Sequence, residues 1–473
     1  MIHVLIASAV AATIPTGVTP DDGNDDGAGF RAALATACGT GGDHLLEVPV
    51  GTFEISRESG KLGGLNVSGC AGLSIIGKGR AASRLRMVPT TASGDYYLIN
   101  IDSGSTDVEV SGLSLDGRRA AFEALGATET QVHLIRTNVV YRVDVHDADL
   151  IDALGAGIKT ISTDDVSIVN VRFRGHGRGG FEGHSYVTDA RLVANSFDDI
   201  RSQHISQEGG GGDARWTIVA NNHGPHGSST DLLYDLGSGA TDVAVIGNTM
   251  IDGGVQGYNL SRFSLVGNTI NQTASSGPSG FYLKGKNEHG SLVGNAVTSA
   301  GTSAAETSCF RLSYINSSSE ANTLSLVANS CQHAGGAGIY STTATGRLAL
   351  GSNVIASTGT SGFGVYIRGY GTVRGLAATG NVIMNEAQGV ALGANSGTFD
   401  DGAFSGNVIQ STKTSAYGFN YEVWNHAGVP YATKCRVDSN VLDVTGTKIR
   451  NAGTVSPQPT SSEGCILHGD AVP

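Results

Sequence analysis

The sequence predicts a right-handed parallel β-helix, one long solenoid of stacked coils behind a short N-terminal capping helix. Three observations carry that prediction. A Gly/Ala–Asn signature recurs at a near-constant interval, each copy is followed by a second short apolar strand, and the composition suits neither helices nor disorder. Of 473 residues, 69 are Gly, 10 are Pro, 40% are hydrophobic and only 15% are charged. A chain of this kind lacks the Glu/Lys/Leu richness of helical proteins and the high net charge of disordered ones.

The repeat begins near residue 187 as an apolar-alternating run, then Gly or Ala, then Asn. Leu192-Val-Ala-Asn195, Val245-Ile-Gly-Asn248, Leu265-Val-Gly-Asn268 and Leu326-Val-Ala-Asn329 are clear copies, and others carry Asn221, Asn295, Asn353, Asn381, Asn407 and Asn440. The mean interval is about 27 residues, within the range of solenoid repeats. Asn tolerates the left-handed backbone of a tight bend, and its amide can bond to its equivalent one coil away. A ladder of this kind satisfies polar groups that a solenoid would otherwise bury unpaired.

The second strands read Gly257-Tyr-Asn-Leu, Gly280-Phe-Tyr-Leu, Gly338-Ile-Tyr-Ser, Gly364-Val-Tyr-Ile, Gly389-Val-Ala-Leu and Gly418-Phe-Asn-Tyr. Short strands joined by Gly-containing turns fit parallel pairing of coil upon coil. Ahead of them, Asp25-Asp26 followed by Phe30 and Leu34 reads as an acid-capped helix with one apolar face, suited to closing the open end of a solenoid. We therefore divide the chain into an N-terminal strand and capping helix over 1–60 and the β-helix over 61–473.

The cap is the most specific part. An Asp-rich turn, an Ala-rich helix and Val48-Pro-Val-Gly-Thr-Phe53 resemble the N-terminal cap of the pectate-lyase-like superfamily, shared by secreted polysaccharide lyases, glycoside hydrolases and phage tailspike depolymerases. The resemblance spans nearly the whole chain. It implies the fold and a glycan substrate, and leaves the reaction open because the fold carries many chemistries.

Alternation along a strand sends every second side chain outward. The second strands align on an inward residue: Ile158, Phe181, Ile205, Leu232, Tyr258, Phe281, Phe310, Ile339, Val365, Val390 and Phe419. The outward neighbours then cluster Glu182, His184, Glu208 and Asp235 on successive coils about 4.8 Å apart. Further on they offer Lys284, Arg311 and Arg368 beside Tyr282, Tyr340 and Tyr366. Stacked carboxylates repel, which a purely structural surface would not retain, and their pKa values should split. Tyrosine rings pack on sugar faces and cations hold acidic sugar groups. For any one of these residues alone, a solvated sheet surface is the commoner reading.

Three functions fit. In glycoside hydrolysis Glu208 and Asp235 act as the acid/base pair, Glu182 is the third candidate and His184 orients them. No cofactor is required. In β-elimination from a uronate polymer, Lys284 or Arg311 is the base and Tyr282 the acid, with Glu182, Glu208 and Asp235 as calcium ligands. In the third, the β-helix only binds glycan or builds a trimeric phage fibre. Thr163-Asp-Asp165 and Gly175-His-Gly177 look like pieces of the polygalacturonase signature, but they fall within one coil and lack its Arg-Ile-Lys element, so no role is carried to them.

The net charge of −12 argues against nucleic acid as a partner, and no apolar run is long enough for a bilayer. The six cysteines, at 38, 70, 309, 331, 435 and 465, form three sequence-local pairs without C-x-x-C, so zinc is not expected. Local disulfides imply an oxidising compartment, with buried thiols the alternative. The apolar run Met1–Pro15 reads equally as a secretory signal or a first strand. A secreted or virion-associated protein acting on polysaccharide is the expectation.

Overall fold

A computed structural model describes residues 14, 17–39, 44–90, 95–128, 132–208, 214–224, 233–273, 278–301, 307–313, 323–342, 347–369, 373–394, 399–400, 402–414, 416–423, 432–433, 435–445, 447–451 and 465–468. The chain forms two compact units, Met1–Ser228 and Ser229–Pro473. The run Met1–Thr13 lies outside the described residues.

Each unit is a parallel β-helix with three main sheets, which the coils enter in turn, and the second unit adds a small parallel sheet of Val373–Arg374, Phe399–Asp400 and Ala432–Thr433. In the first unit the opening coil runs Leu45–Val48 in sheet one, Gly51–Ile55 in sheet two and Gly63–Val67 in sheet three. The next coil lays Ser74–Gly77, Ser83–Met87 and Tyr96–Ile101 parallel to them. Coils therefore begin at Leu45, directly after the helix. In the second unit the same sequence starts with Tyr234–Ser238 in sheet three, Thr241–Ile246 in sheet one and Thr249–Ile251 in sheet two. Alternation places one side of every strand in the interior, as in Arg215–Val219, where Trp216 and Ile218 are buried.

Helix Gly27–Ala37 covers the first coil with Phe30, Ala33 and Leu34, and the Phe30 ring meets Phe53 edge-on at 5.1 Å. The acid cap is made by Asp25, which accepts the N–H of the helix's first residue, Gly27, whereas Asp26 makes no side-chain bond to the helix. Asp26 is buried and accepts the Glu54 N–H at 3.2 Å, while Asp25 accepts the Gly27 and Ser56 N–H groups. The acids fasten the helix to the second strand. A second helix, Arg119–Ala124, was not legible in the sequence; it drops Phe122 against the edge of the Tyr96 ring.

The repeating asparagines occupy the turn from sheet one to sheet two and are buried. The left-handed position is the residue before each, including Ala194 (φ 56°), Gly247 (64°), Gly267 (62°), Ala328 (55°) and Ser352 (53°). The expected division of labour is thus corrected: Gly, Ala or Ser makes the bend, and Asn turns inward to bond. In the second unit each amide bonds to the next from Asn248 to Asn440. Asn295, for example, gives its N–H and its Nδ2 to Asn329 Oδ1 at 3.0 and 2.9 Å, and Nδ2 also to Leu265 O at 2.8 Å. In the first unit Asn195 bonds to Asn221 Oδ1 at 2.8 Å.

Disulfides join Cys38 to Cys70 and Cys309 to Cys331, with Cα separations of 5.2 and 6.0 Å. Cys435 and Cys465 stand opposite each other on neighbouring strands, and their side chains lie outside the described residues. No described helix is long and apolar enough to cross a membrane.

Candidate functional site

Strand Phe181–Val187, in sheet three of the first unit, holds two of the expected site residues. Phe181 points inward and meets Trp216 edge-on at 5.8 Å. Glu182 and His184 leave on the other face. Glu182 stands between Lys159 and Ser206 on the adjoining strands, and His184 stands between Ile161 and Glu208.

The Glu182 carboxylate is 1% exposed, with Oε1 2.9 Å from Arg178 Nε and Oε2 3.7 Å from His184 Nε2. Oε2 is buried and has no hydrogen-bond partner among the described residues. Burying half a carboxylate without a partner is costly, and such groups collect where a ligand or proton completes them. The geometry needs Gly179. A Cβ there would lie 2.9 Å from Glu182 Cγ and 3.0 Å from Oε1, so only glycine lets the carboxylate fold back onto the turn that carries Arg178.

Glu208 ends strand Ile205–Glu208, and its side chain lies outside the described residues. Glu182 and Glu208 are diagonal neighbours on adjacent parallel strands. Asp235 belongs to the second unit. It stands opposite Gln256, because Tyr234 is the inward residue, and it accepts the Gly237 N–H at 3.2 Å. Asp235 is therefore the first outward residue of its own strand, as Gln256 is of the next, while Glu208 is the second outward residue of its strand, opposite His184. The alignment also slips at Tyr258, which pairs with Lys284 and not with Phe281.

From Phe281 onward the register is as expected. Tyr282, Arg311, Tyr340 and Tyr366 follow one another on successive strands of sheet three. The Arg311 guanidinium lies 4.4 Å from the Tyr282 ring centre and Lys284 Nζ 5.8 Å from that of Tyr258. Tyr366 lies 5.4 Å from Tyr340 and stacks on Phe363 at 4.5 Å. Tyr340 is buried by this packing, so its ring braces the row and does not face solvent. Arg368 stands opposite Gly393, and its side chain lies outside the described residues. This row is an aromatic surface carrying cations, suited to sugar rings bearing acidic groups.

Sequence reasoning missed Arg178 and Tyr186. Arg178 precedes Glu182 by four residues across Gly179-Gly180, a spacing that meets here through a turn and not through a helix. His176, in the fragment Gly175-His-Gly177, is fully buried and takes the Ala153 N–H on Nδ1 at 3.1 Å. Loss of hydration pushes its pKa down to about 3, so it is a neutral interior group and plays no acid/base part. His204 and His223, Nδ1 to Nδ1 at 2.8 Å, are likewise buried against Phe197. Among the described residues no three His, Cys, Asp or Glu side chains gather as a metal site.

No protein-family model matches this sequence, and no curated protein is similar to it. Solved structures are similar at low identity. The ORF18 protein of Geobacillus virus E2 aligns over 74% of this chain at 10% identity with a TM-score of 0.44, and the chain spans 62% of that protein's length. The catalytic unit of a thermostable GH87 α-1,3-glucanase from Streptomyces thermodiastaticus aligns over 96% of this chain and 72% of its own at 13% identity, TM-score 0.44. The A-module of a mannuronan C-5 epimerase from Azotobacter vinelandii aligns over 96% of this chain and 98% of its own at 14% identity, TM-score 0.33. Likeness at this level assigns no reaction; that reading rests on the side chains above.

Proposed function

We propose that the protein degrades a polysaccharide, hydrolysing glycosidic bonds on the outward face of sheet three with Glu182 and Glu208 as the carboxylate pair. The observation that carries this is the buried Glu182 carboxylate, bonded to Arg178 through Oε1, with Oε2 lacking a hydrogen-bond partner among the described residues, 3.7 Å from His184 Nε2, on a strand that sets it diagonal to Glu208. Glu182, held by Arg178, is the base that activates water. Glu208 is the acid that protonates the leaving oxygen, and His184 orients the pair. In the second unit, Tyr282 and Tyr366 with Arg311 and Lys284 make a separate surface for sugar units, the two cations favouring an acidic glycan. Two disulfides support a secreted or virion-associated setting.

Arg311 over Tyr282 also supports a second reading, β-elimination with these two as base and acid and with calcium neutralising the uronate. Product analysis on a panel of neutral and acidic polysaccharides separates the two. New reducing ends without an ultraviolet-absorbing unsaturated uronate support hydrolysis. An unsaturated product that depends on calcium overturns hydrolysis. If nothing is cut and a Glu182→Gln variant still binds glycan, the face only binds.

A further inference from the structure

Strand Phe181–Val187 is irregular just past the catalytic face. Its register against Ile158–Val169 shifts, with Ile161 opposite His184 but Thr163 opposite Val187. Ser185 and Tyr186 thus stand against Ser162 alone, a β-bulge of the kind that re-aims a side chain. Ser185 pays for it with a left-handed backbone at φ 61°, and Ser162 sits at φ 49°, a region that L-residues other than Asn and Asp seldom occupy. The product of this strain is Tyr186, which is 66% exposed, more than any other large hydrophobic side chain among the described residues. Without the extra residue, alternation would give the strand an ordinary inward and outward sequence through Val187.

A large aromatic side chain held in water contributes nothing to the core, and bulges that re-aim a side chain are over-represented next to active sites. We propose that Tyr186 is a stacking platform for a sugar ring of the glycan processed at Glu182, an inference that rests on the hydrolase reading above. The ring face meets the C–H-rich side of a pyranose while its hydroxyl stays free for the sugar's polar groups. Tyr186 lies four residues along the strand from Glu182, at most about 13 Å in extended chain. The platform therefore holds a unit beyond the one being cleaved. A contact made equally before and during reaction lowers KM and leaves kcat alone.

The test uses the full chain in native gels containing polygalacturonate, alginate or dextran, with kinetics on whichever polymer is cut. Tyr186→Ala should bind the retarding polymer roughly three- to tenfold more weakly and raise KM by the same factor at unchanged kcat. Tyr186→Phe and Tyr186→Trp should restore retardation, since stacking needs the ring and not the hydroxyl. Tyr141→Ala, at an exposed tyrosine of sheet one, should behave as wild type. Wild-type retardation of Tyr186→Ala, on a polymer whose cleavage Glu182→Gln abolishes, overturns the platform and leaves the hydrolase reading standing. Failure of the wild type to bind or cut any of the polymers overturns both.

Discussion

Removing one rung of the asparagine ladder should destabilise the second unit far more than its single side chain suggests. Asn329 is 2% exposed. Its Oδ1 accepts both the backbone N–H and the Nδ2 of Asn295, and its own Nδ2 donates to Leu292 O and Asn353 Oδ1, both at 2.9 Å. In Asn329→Ala the Asn295 N–H loses its acceptor, Asn295 Nδ2 keeps only Leu265 O, and Leu292 O loses the Asn329 donor, all in a place water does not reach. Asn353 Oδ1 keeps the Asn329 backbone N–H at 3.1 Å, so it is not stripped. One orphaned buried N–H at about 1–3 kcal/mol and two further lost hydrogen bonds at about 0.5–1.5 kcal/mol each give a loss of about 2–6 kcal/mol, before any cavity is counted. Asn329→Asp should fare no better, because it buries a charge and forfeits both donations. The exposed Asn271, on the outer side of sheet two, is the control, and its alanine variant should stay within about 0.5 kcal/mol of wild type. Urea titration of the full chain followed by far-ultraviolet circular dichroism measures the difference. If Asn329→Ala unfolds at the same urea concentration as Asn271→Ala, the ladder is ornament and the account of the repeat is wrong.

Three further outcomes follow from the side chains. Replacing Cys309 and Cys331 with serine opens a 22-residue loop and should cost about 3 kcal/mol, read as a fall in unfolding midpoint that reductant reproduces in the wild type. The pKa of His146 is raised: burial opposes its charge, but bonds to Asp147 and Glu109 at 3.0 Å and the nearby Asp144 outweigh that cost. Its stabilisation is complete below the ordinary value of 6.5 and is lost as pH rises through the raised folded value, so His146→Gln should flatten the melting temperature across that window. Glu386 is buried and bonded to His333 Nε2 at 2.7 Å; burial raises its pKa despite the His333 and Lys413 partners. It therefore favours the fold most below 4.5, losing that contribution as pH rises, and Glu386→Gln should remove this slope from a stability-against-pH curve.

The parallel β-helix was legible because its constraints recur. Each coil needs a left-handed bend and a buried amide at one turn, and the Gly/Ala–Asn pair writes both into the sequence. Register in sheet three was legible wherever the Gly precedes the inward residue, as at Gly280-Phe281. It slipped at Tyr258 because Gly257 there occupies an inward position itself, opposite Leu283, where a Cβ would lie 2.3 Å from Leu260 Cδ1. Glycine serves two purposes in these strands, and pattern alone does not separate them. The site was legible only in part for a related reason. Glu182 and His184 follow from alternation, whereas Arg178 reaches Glu182 through a Gly-Gly turn and Tyr186 is turned out by a bulge. Neither geometry has a periodic signature.

The most direct test of the glycan-hydrolase account is the cleavage rate of Glu182→Gln, Glu208→Gln and Asp235→Asn beside wild type, on a polysaccharide that the wild type cuts. The expected losses are on the order of 10²–10⁴ for each glutamate variant, with the fold retained by circular dichroism and Asp235→Asn near the wild-type rate. Wild-type cleavage by both glutamate variants, or a comparable loss in Asp235→Asn alone, would contradict it.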